Sequence, residues 1–560
     1  MSKKTPTSQL QKSQQTSQPS DMTQAPNLLA HAHGTGALRR RRPVYSDSLP
    51  PCNYACPAGE NVQAWLGLAQ VGKFQEAWET IMKDNPLPAV HGRVCYHPCE
   101  NSCNRTAVDT SVSIHAVERF LGDLASERGW RVPIEAKPSG KKVLVVGAGP
   151  SGLSAGYHLT RLGHHVEIYE AGPIAGGMMN FGIPAYRLPR AELMKEVRRI
   201  EDTGVKIHLN RKVENLLEDM KSGGFAAVFV AVGAHLIQKI DLIPGDAAKV
   251  YDAVGFLRQA ASGDAPKIGR RVAIYGGGNT AMDAARTAQR LGAEETMIIY
   301  RRTRDHMPAH TFEVDEALQE GVKINWLRTI KDIEPGKITV EVMTLDGDGR
   351  PVPTGEVETI EADSLIMAVG QNTDTAFLKK VPGIEFKADG TVIVSPMMMT
   401  GAQGVFAGGD MVPSERTVTV AVGHGKRAAR CIDAFLKGEK WQPEPKKEVI
   451  AYEKLNLWYF TDAEQKKQVQ LDPAQRLRDF TEVVAGLSEN EAVFEAKRCF
   501  SCGNCFECDG CFGACPEQAI VKLGKGNRYR FDYDKCTGCA VCEEQCPCHA
   551  IEMKPEGEGQ

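Results

Sequence analysis

The sequence predicts an α/β protein with two domains of alternating strands and helices, one inserted into the other, between a helical N-terminal domain and a small α+β C-terminal domain. Two buried strands each lead into a glycine-rich loop and a helix, the pattern of a parallel sheet. The 17 cysteines fall into two groups near the two ends of the sequence, with Cys431 alone between them. These observations predict nucleotide chemistry in the middle of the chain and metal chemistry at both ends.

Length and composition restrict the class of protein. The chain has 560 residues, which suggests three or four domains, and a net charge of −3 gives no reason to expect nucleic-acid binding. The sequence has no run of 18 apolar residues, so we expect no membrane span. Residues 1–38 are rich in Ser, Gln and Thr, and we predict a disordered tail over 1–45. Cysteines in cluster spacings without a secretory signal favour a cytoplasmic location.

The first cysteine group predicts a helical metal-binding domain over residues 46–135. Cys52 and Cys56 are separated by three residues, and Cys95, Cys99 and Cys103 follow at the same interval. Between these loops, residues 61–85 repeat apolar positions at helical spacing. Five thiols suffice for one four-iron cluster but not for two, and buried free thiols are the alternative.

The first glycine-rich loop predicts a dinucleotide site. The buried strand 142–146 leads into a loop and helix start whose proposed cofactor-binding residues are Gly147, Gly149, Pro150, Ser151 and Gly152. Glu170 ends the next strand, 23 positions after Gly147, where an acidic residue binds an adenosine ribose. Glycines allow backbone amides at the helix N-terminus to approach a pyrophosphate.

A second loop of the same kind predicts a second nucleotide. It follows the strand 271–275, and its proposed binding residues are Gly276, Gly278, Asn279 and Thr280. The next strand ends in Arg301 and Arg302 rather than an acid, and arginine there accommodates a 2′-phosphate. This favours NADPH over NADH, while surface salt bridges are the alternative role for the two arginines.

A third element predicts how the two loops are combined. The strand 404–407 ends near Gly409 and Asp410, and a helix follows from 418 to 436. Two further strands end at Gly233 and Gly370, so we expect an inserted domain over 235–371 between two parts of an outer domain, 140–234 and 372–440. These features resemble the two-dinucleotide-binding-domain flavoproteins, in which the outer domain binds FAD and the inserted one NAD(P)H.

The resemblance implies that Asp410 holds the ribityl or pyrophosphate region of FAD. It also implies that the helix beginning near Thr419 directs its positive end at the flavin ring. Many relatives carry a redox-active CxxC beside the flavin. Only Cys431 lies between Cys103 and Cys499 here, which excludes that disulfide.

The second cysteine group predicts a ferredoxin domain with two 4Fe–4S clusters over residues 499–560. Two motifs share the cysteine spacing of a ferredoxin. The first contains Cys505, Cys508, Cys511 and Cys515, and the second contains Cys536, Cys539, Cys542 and Cys546. In such domains the fourth cysteine of each motif ligates the other cluster. Cys546 is therefore expected to complete the ligands of the first motif, and Cys515 those of the second. Zinc knuckles and disulfide scaffolds, the alternatives, lack this fourfold run. Cys499, Cys502 and Cys548 remain without a role.

The segment before this domain, residues 441–498, is charged and has a helical pattern. We predict a helical connector there, with the aromatic residues 458–460 in its core.

A closer resemblance covers about residues 50–437. The chain is similar to the small (beta) subunit of glutamate synthase in the segments 52–57, 85–88, 92–95, 176–177, 181–184, 276–283 and 300–302 and in the helix that carries Glu118. The resemblance implies FAD contacts at Gly176 and Gly177, and a cluster held by Cys56, Cys95, Cys99 and Glu118. The family usually has another CxxC before Cys52, which this chain lacks, so we expect one N-terminal cluster.

These patterns predict an FAD-dependent oxidoreductase that moves electrons between NAD(P)H and 4Fe–4S clusters, with no protein group as the catalytic residue because FAD carries the hydride transfer. We expect a hetero-oligomer with a redox partner protein or the subunits of a ferredoxin-dependent enzyme. Two alternatives stay open: a glutamate synthase small subunit proper, and a non-catalytic electron-transfer scaffold.

Overall fold

The computed structural model describes residues 39–237, 249–443, 445–458 and 460–556. The chain divides into two compact units: one combines the N-terminal residues up to Ser46 with those from Cys505 onward, and the other runs from Asp47 to Asn504. Most of the predicted tail, residues 1–38, and the aromatic Tyr459 lie outside the described residues. No helix in the described ranges is both long and apolar enough to cross a membrane.

The larger unit begins with a helical region that carries the first cysteine group. After strand β1 (Arg41–Tyr45), which belongs to the smaller unit, the helices are α1 (Pro51–Ala55), α2 (Val62–Ala69), α3 (Phe74–Ile81), α4 (Pro88–Val94), α5 (Pro98–Asn101) and α6 (Ile114–Glu127). Trp65 on α2 and Trp78 on α3 are fully buried, as the helical apolar spacing predicts. Cys52 lies on α1 and Cys99 on α5, whereas Cys56 and Cys95 directly follow α1 and α4.

The first part of the outer nucleotide-binding domain follows. Its elements are β2 (Lys142–Val146), α7 (Pro150–Arg161), β3 (His165–Tyr169), α8 (Met178–Phe181), α9 (Arg190–Glu201), β4 (Lys206–His208), α10 (Leu216–Gly223) and β5 (Ala227–Val230). Strand β2 pairs in parallel with both β3 and β5, which explains its almost continuous apolar sequence.

The inserted domain contains a second parallel sheet. Its elements are β6 (Leu236–Ile237), β7 (Lys249–Asp252), α11 (Ala253–Ala261), β8 (Arg271–Tyr275), α12 (Asn279–Arg290), β9 (Glu295–Tyr300), α13 (Thr311–Gln319), β10 (Lys323–Trp326), β11 (Arg328–Glu334), β12 (Lys337–Leu345), β13 (Pro351–Glu361), β14 (Ser364–Met367) and β15 (Gln371–Asn372). The sheet order is β10-β9-β8-β14-β7, and β11-β12-β13 form a separate antiparallel sheet. Strands β6 and β15 pair where the chain enters and leaves this domain.

The chain then returns to the outer domain with β16 (Val405–Ala407) and α14 (Val418–Lys437). Strand β16 pairs with β5, which gives the parallel order β16-β5-β2-β3-β4. Buried residues of this sheet and of the N-terminal helices belong to one continuous hydrophobic core. The helical domain is therefore packed against the outer domain.

The prediction of a helical connector over 441–498 was wrong for most of its length, where the α-helices are α15 (Pro473–Arg476) and α16 (Glu489–Lys497). Its backbone groups are satisfied by tertiary bonds instead: the Thr461 carbonyl accepts from Arg105 and the Ala463 carbonyl accepts from Arg498. The predicted aromatic core was also wrong at Trp458, whose exposed fraction is 72%.

The smaller unit contains the second cysteine group. Its remaining elements are α17 (Gly510–Ala514), β17 (Ile520–Lys522), β18 (Tyr529–Phe531), α18 (Val541–Glu544) and β19 (Ile551–Pro555). Strand β1 pairs antiparallel with β19, with Tyr45 opposite Ile551. The prediction of a tail up to residue 45 was therefore wrong for β1. Arg39 is buried and forms an ion pair with Glu556 at 2.7 Å, because the start of this segment completes the fold of the small unit.

Candidate cofactor and cluster sites

A cavity of about 1780 Å³ in the larger unit is lined by both glycine-rich loops and by part of the N-terminal helical domain. Of the predicted cofactor-binding residues it is lined by Gly147, Gly149, Pro150, Ser151, Glu170, Gly177, Gly233, Gly276, Gly278, Asn279, Thr280, Arg301, Arg302, Gly370, Gly409, Asp410 and Thr419. Gly152 and Gly176 are not part of this lining, although the Gly176 amide donates to the carbonyl of Ala148 in the first loop at 2.8 Å. The cavity therefore brings the two predicted nucleotide sites together.

The first loop has the backbone geometry of a pyrophosphate site. Gly147 has a φ of +102°, and a Cβ there would lie 2.5 Å from the Ala231 carbonyl oxygen. At Gly149 a Cβ would meet no atom within 4 Å, so this glycine leaves the loop open to the cavity. The Glu170 carboxylate accepts from the Ala148 and Gly172 amides, each at 2.7 Å, which fixes it beside the loop.

Helix α7 presents a buried hydroxyl at this site. The side-chain oxygen of Ser151 is buried and has no hydrogen-bond partner among the described residues. Buried polar atoms are usually paired, so this hydroxyl fits a site whose partner is a bound polar group such as FAD. Burial raises the pKa of the neighbouring Asp410 to about 6, and Arg416 opposes that rise.

The second loop repeats the backbone geometry. A Cβ at Gly276 would lie 2.2 Å from the Ala368 carbonyl oxygen, and one at Gly278 would meet nothing within 4 Å. Asn279 has a structural role that the sequence did not indicate: its amide nitrogen donates to the Tyr96 hydroxyl at 2.6 Å, and its oxygen accepts from the His310 amide at 3.0 Å. Tyr96 thus links the cysteine domain to the second loop.

Arg301 and Arg302 face the cavity beyond β9. In the described part of the chain neither guanidinium takes part in a salt bridge, and the buried Nε of Arg302 has no hydrogen-bond partner there. The salt-bridge alternative for these arginines is therefore not realised within the described residues. Their free donors suit the 2′-phosphate of NADPH.

The N-terminal cysteines divide into two sets. In the first, burial raises the pKa of the Cys56 thiol, and the charges of Glu60, Glu118 and Cys95 add to that rise. The Glu118 carboxylate accepts from the Asn85 amide at 2.8 Å. Glu60, four residues after Cys56, was not identified from the sequence, where nothing separates it from a surface glutamate.

Cys95 of this set also lines the large cavity. Burial raises the pKa of its thiol, and the nearby Thr419 hydroxyl, at the start of α14, opposes that rise. Cys99 lies in the same group. Burial and the charge of Glu100 raise the pKa of its thiol most, the thiols of Cys95 and Cys56 add to that rise, and Cys52 of the second set adds the smallest contribution.

The second set contains cysteines that the sequence left without a firm role. Burial raises the pKa of the Cys52 thiol, and the thiols of Cys499, Cys103 and Cys502 raise it further. All four residues belong to the larger unit. The sequence gave no signal for this grouping, since Cys499 and Cys502 lie next to the ferredoxin run.

In the smaller unit the structure brings the eight predicted ferredoxin cysteines into two sets. Burial raises the pKa of the Cys511 thiol to about 12, and the neighbouring thiols of Cys505, Cys546 and Cys508 contribute to that rise. Burial likewise raises the pKa of the Cys542 thiol to about 12, and the neighbouring thiols of Cys536, Cys539 and Cys515 contribute to that rise. The fourth cysteine of each motif thus lies beside the first three cysteines of the other motif, as a two-cluster site requires.

Cys548, also without a predicted role, lies beside the first of these sets. Its Sγ is 3.7 Å from the Sγ of Cys546.

Comparison with known proteins agrees with this division. Residues 141–425 match the pyridine nucleotide-disulphide oxidoreductase family, residues 43–130 match dihydropyrimidine dehydrogenase domain II with its 4Fe–4S cluster, and residues 529–552 match a 4Fe–4S binding domain. The chain is 36% identical to the beta subunit of NADP(+)-dependent formate dehydrogenase from Moorella thermoacetica, over 80% of this chain and 70% of that protein.

Two further relatives show the same relationship. The beta subunit of NADPH-Fe(3+) oxidoreductase from Geobacter sulfurreducens is 34% identical over 80% of this chain and 74% of that protein. The NADPH glutamate synthase small chain of Escherichia coli is 33% identical over 69% of this chain and 89% of that protein. The chain therefore belongs to the pyridine nucleotide-disulphide oxidoreductase family, as a glutamate synthase small-subunit-like oxidoreductase that uses FAD, NAD(P)H and 4Fe–4S clusters.

Proposed function

We propose that this chain is the nicotinamide-linked subunit of a larger redox complex, in which it connects NADPH, through FAD and the N-terminal cluster, to a partner oxidoreductase. The partner is a redox protein or a ferredoxin-dependent enzyme. The proposal includes a cytoplasmic location, where thiols remain reduced for cluster ligation.

The observation that carries the proposal is the position of Cys95. This thiol lies on the wall of the cavity that both glycine loops line, next to Thr419 at the start of α14. A cluster held by Cys56, Cys95, Cys99 and Glu118 would therefore have one ligand at the FAD site. Such an arrangement supports electron passage from the cavity into the helical domain.

The residues of the chain would bind and orient the cofactors. The amides of the first loop and the N-terminus of α7 would hold the FAD pyrophosphate, with Glu170 at the ribose. Arg301 and Arg302 would hold the 2′-phosphate of NADPH. FAD, when bound, supplies the capacity to accept a hydride and to release its two electrons singly.

The relatives support the choice of NADPH and of a complex. All three reported relatives are named for NADP(+) or NADPH, and two of them are named as beta subunits. The glutamate synthase small chain is matched over 69% of this chain, compared with 80% for the formate dehydrogenase subunit. The longer match favours an electron-transfer subunit over glutamate synthesis.

An anaerobic titration of the purified full chain tests the proposal. NADPH is expected to bleach the flavin absorbance and to produce electron paramagnetic resonance signals from reduced clusters. In the C95A variant we expect bleaching to persist, while the signal of the N-terminal cluster is lost. C431A is the matched control, because Cys431 is a buried thiol on α14 that belongs to neither N-terminal set. A chain that contains FAD but is not bleached by NADPH would instead be the non-catalytic scaffold.

Affinity purification of the full chain from its native cells identifies the partner. A partner with 4Fe–4S, molybdenum or other redox centres would support the proposal. Co-purification with a large glutaminase-bearing subunit would instead identify the chain as a glutamate synthase small subunit.

A further inference from the structure

Four cysteines from distant parts of the sequence come together in the larger unit: Cys52, Cys103, Cys499 and Cys502. We propose that these four thiols hold a further 4Fe–4S cluster, in addition to the predicted N-terminal cluster and the two of the ferredoxin domain. The site goes beyond the proposed function, because it would exist whichever partner the chain serves.

Hydrogen bonds join the loop that carries Cys103 to the loop that carries Cys499 and Cys502. A guanidinium nitrogen of Arg105 donates to the carbonyl oxygen of Arg498 at 2.8 Å, one residue before Cys499. The Asn104 amide donates to the Cys502 sulfur at 3.6 Å. The residue next to Cys103 thus contacts the sulfur of Cys502 directly.

The loop from Cys499 to Cys502 is a tight turn fixed to the helical domain. Ser501 has a φ of +56°, and its amide donates to the Cys499 sulfur at 3.4 Å. The Gln63 side chain on α2 donates to the Ser501 hydroxyl at 2.6 Å. A CxxC turn whose amide points at its own first sulfur is suited to stabilise a thiolate in a metal site.

Two hydrogen bonds join the same turn to the segment that precedes Cys52. The Ser48 amide donates to the Gly503 carbonyl at 3.0 Å, and the Asn504 side chain donates to the Ser48 carbonyl at 3.2 Å. Ser48 lies four residues before Cys52, which is on α1. The turn is therefore connected to the segments of both N-terminal cysteines.

The composition of the site suits metal ligation. Three separate segments bring four thiols to one region, and a coordinated metal would hold them as thiolates. Arg105, which is buried beside them, adds positive charge.

Four thiols can hold either zinc or an iron–sulfur cluster. An iron–sulfur cluster is favoured here because Cys52 and Cys103 both lie in residues 43–130, which match a 4Fe–4S domain. The chain also combines flavin and ferredoxin domains, in which a redox-active centre has a use that zinc lacks.

Metal analysis of the anaerobically purified full chain tests the proposal. Four clusters correspond to about 16 iron atoms per chain and three clusters to about 12, since each contains four irons. We expect about 16 irons and less than one zinc. A wild-type count of about 12, or one zinc per chain, would overturn the proposal without affecting the FAD and NADPH assignment.

Variants locate the extra iron. C499A/C502A and C103A, changed in distant segments, should each lose about four irons and the same paramagnetic signal. The C431A control should keep the full iron content. Flavin content and NADPH bleaching report that the variants are folded. Full iron content in either variant would overturn the assignment, and if the variants do not fold, the wild-type metal count decides it.

Discussion

The two glycine-rich loops have similar backbone geometry but differ in the residues that surround them. In both, a Cβ on the first glycine would collide with a carbonyl of the neighbouring strand end, and a Cβ two residues later, at Gly149 or Gly278, would meet nothing within 4 Å. At the third position the first loop has Gly152, where a Cβ would lie 1.9 Å from the Gly147 oxygen, whereas the second loop has the buried Ala281. The first loop is therefore packed more closely against its helix.

The environment beyond the loops differs more than the loops do. The acid Glu170 is bonded to the first loop, whereas two arginines without ion pairs in the described residues face the cavity beside the second. From this comparison we infer that the glycines define where a pyrophosphate can bind and that the next strand end selects the nucleotide. Four variants test this division, from the largest expected effect to the smallest.

The largest effect is expected from G152A. Its methyl group would overlap the Gly147 carbonyl, so helix and loop must separate, at a cost of about 3 kcal/mol in the free energy of unfolding. We also expect most of the FAD to be lost. Chemical denaturation and flavin content measure both effects. A281G, the matched change in the second loop, should retain FAD, and a G152A protein with full FAD and stability would show that the loops are equivalent.

The double variant R301A/R302A should weaken NADPH binding while it leaves NADH binding almost unchanged. Loss of charge-assisted bonds to a phosphate costs about 2 kcal/mol, which is roughly a 30-fold increase in KM for NADPH. Steady-state kinetics with both nucleotides measure the ratio. An equal change for NADPH and NADH would mean that the arginines do not bind the 2′-phosphate.

E170Q should weaken FAD binding and spare NADPH. The carboxylate accepts from two backbone amides, and an amide side chain has a single oxygen to offer, so about 1.5 kcal/mol of loop stabilisation should be lost. FAD affinity, measured by flavin fluorescence after removal and re-addition of FAD, should fall roughly tenfold. E167Q, on the same strand, is the control. An NADPH defect equal to the FAD defect would contradict the division.

The smallest effect is expected from Y96F, which removes the bond between the cysteine domain and Asn279 of the second loop. The Tyr96 hydroxyl also donates to the Glu313 carboxylate at 3.3 Å, but only its bond to Asn279 reaches the second loop. Loss of that one neutral bond costs about 1 kcal/mol, so KM for NADPH should rise by a factor of about five, with FAD content unchanged. Kinetics and flavin content check this expectation. An unchanged KM would show that Tyr96 is not needed to position the second loop.

The nucleotide-binding core could be predicted from the sequence because its signals are local. Strand, glycine loop and helix follow one another within about twenty residues, and the structure has β2 with α7 and β8 with α12 where these patterns predict them. Predictions failed where tertiary contacts replaced local ones. Residues 441–498 form tertiary bonds to the cysteine domain, such as that from Arg105 to the Thr461 carbonyl, and β1 becomes ordered by pairing with β19 from the other end of the chain.

The sequence by itself determined the two glycine loops, the charged residues at the ends of their following strands and the spacing of the ferredoxin cysteines. Each of these depends on residues close together in the chain, whose geometry the backbone enforces. Only the tertiary structure decided that Cys95 lines the cavity shared by the two glycine loops and that Cys52, Cys103, Cys499 and Cys502 lie together. Such groups depend on how distant segments pack, and no local pattern contains that information.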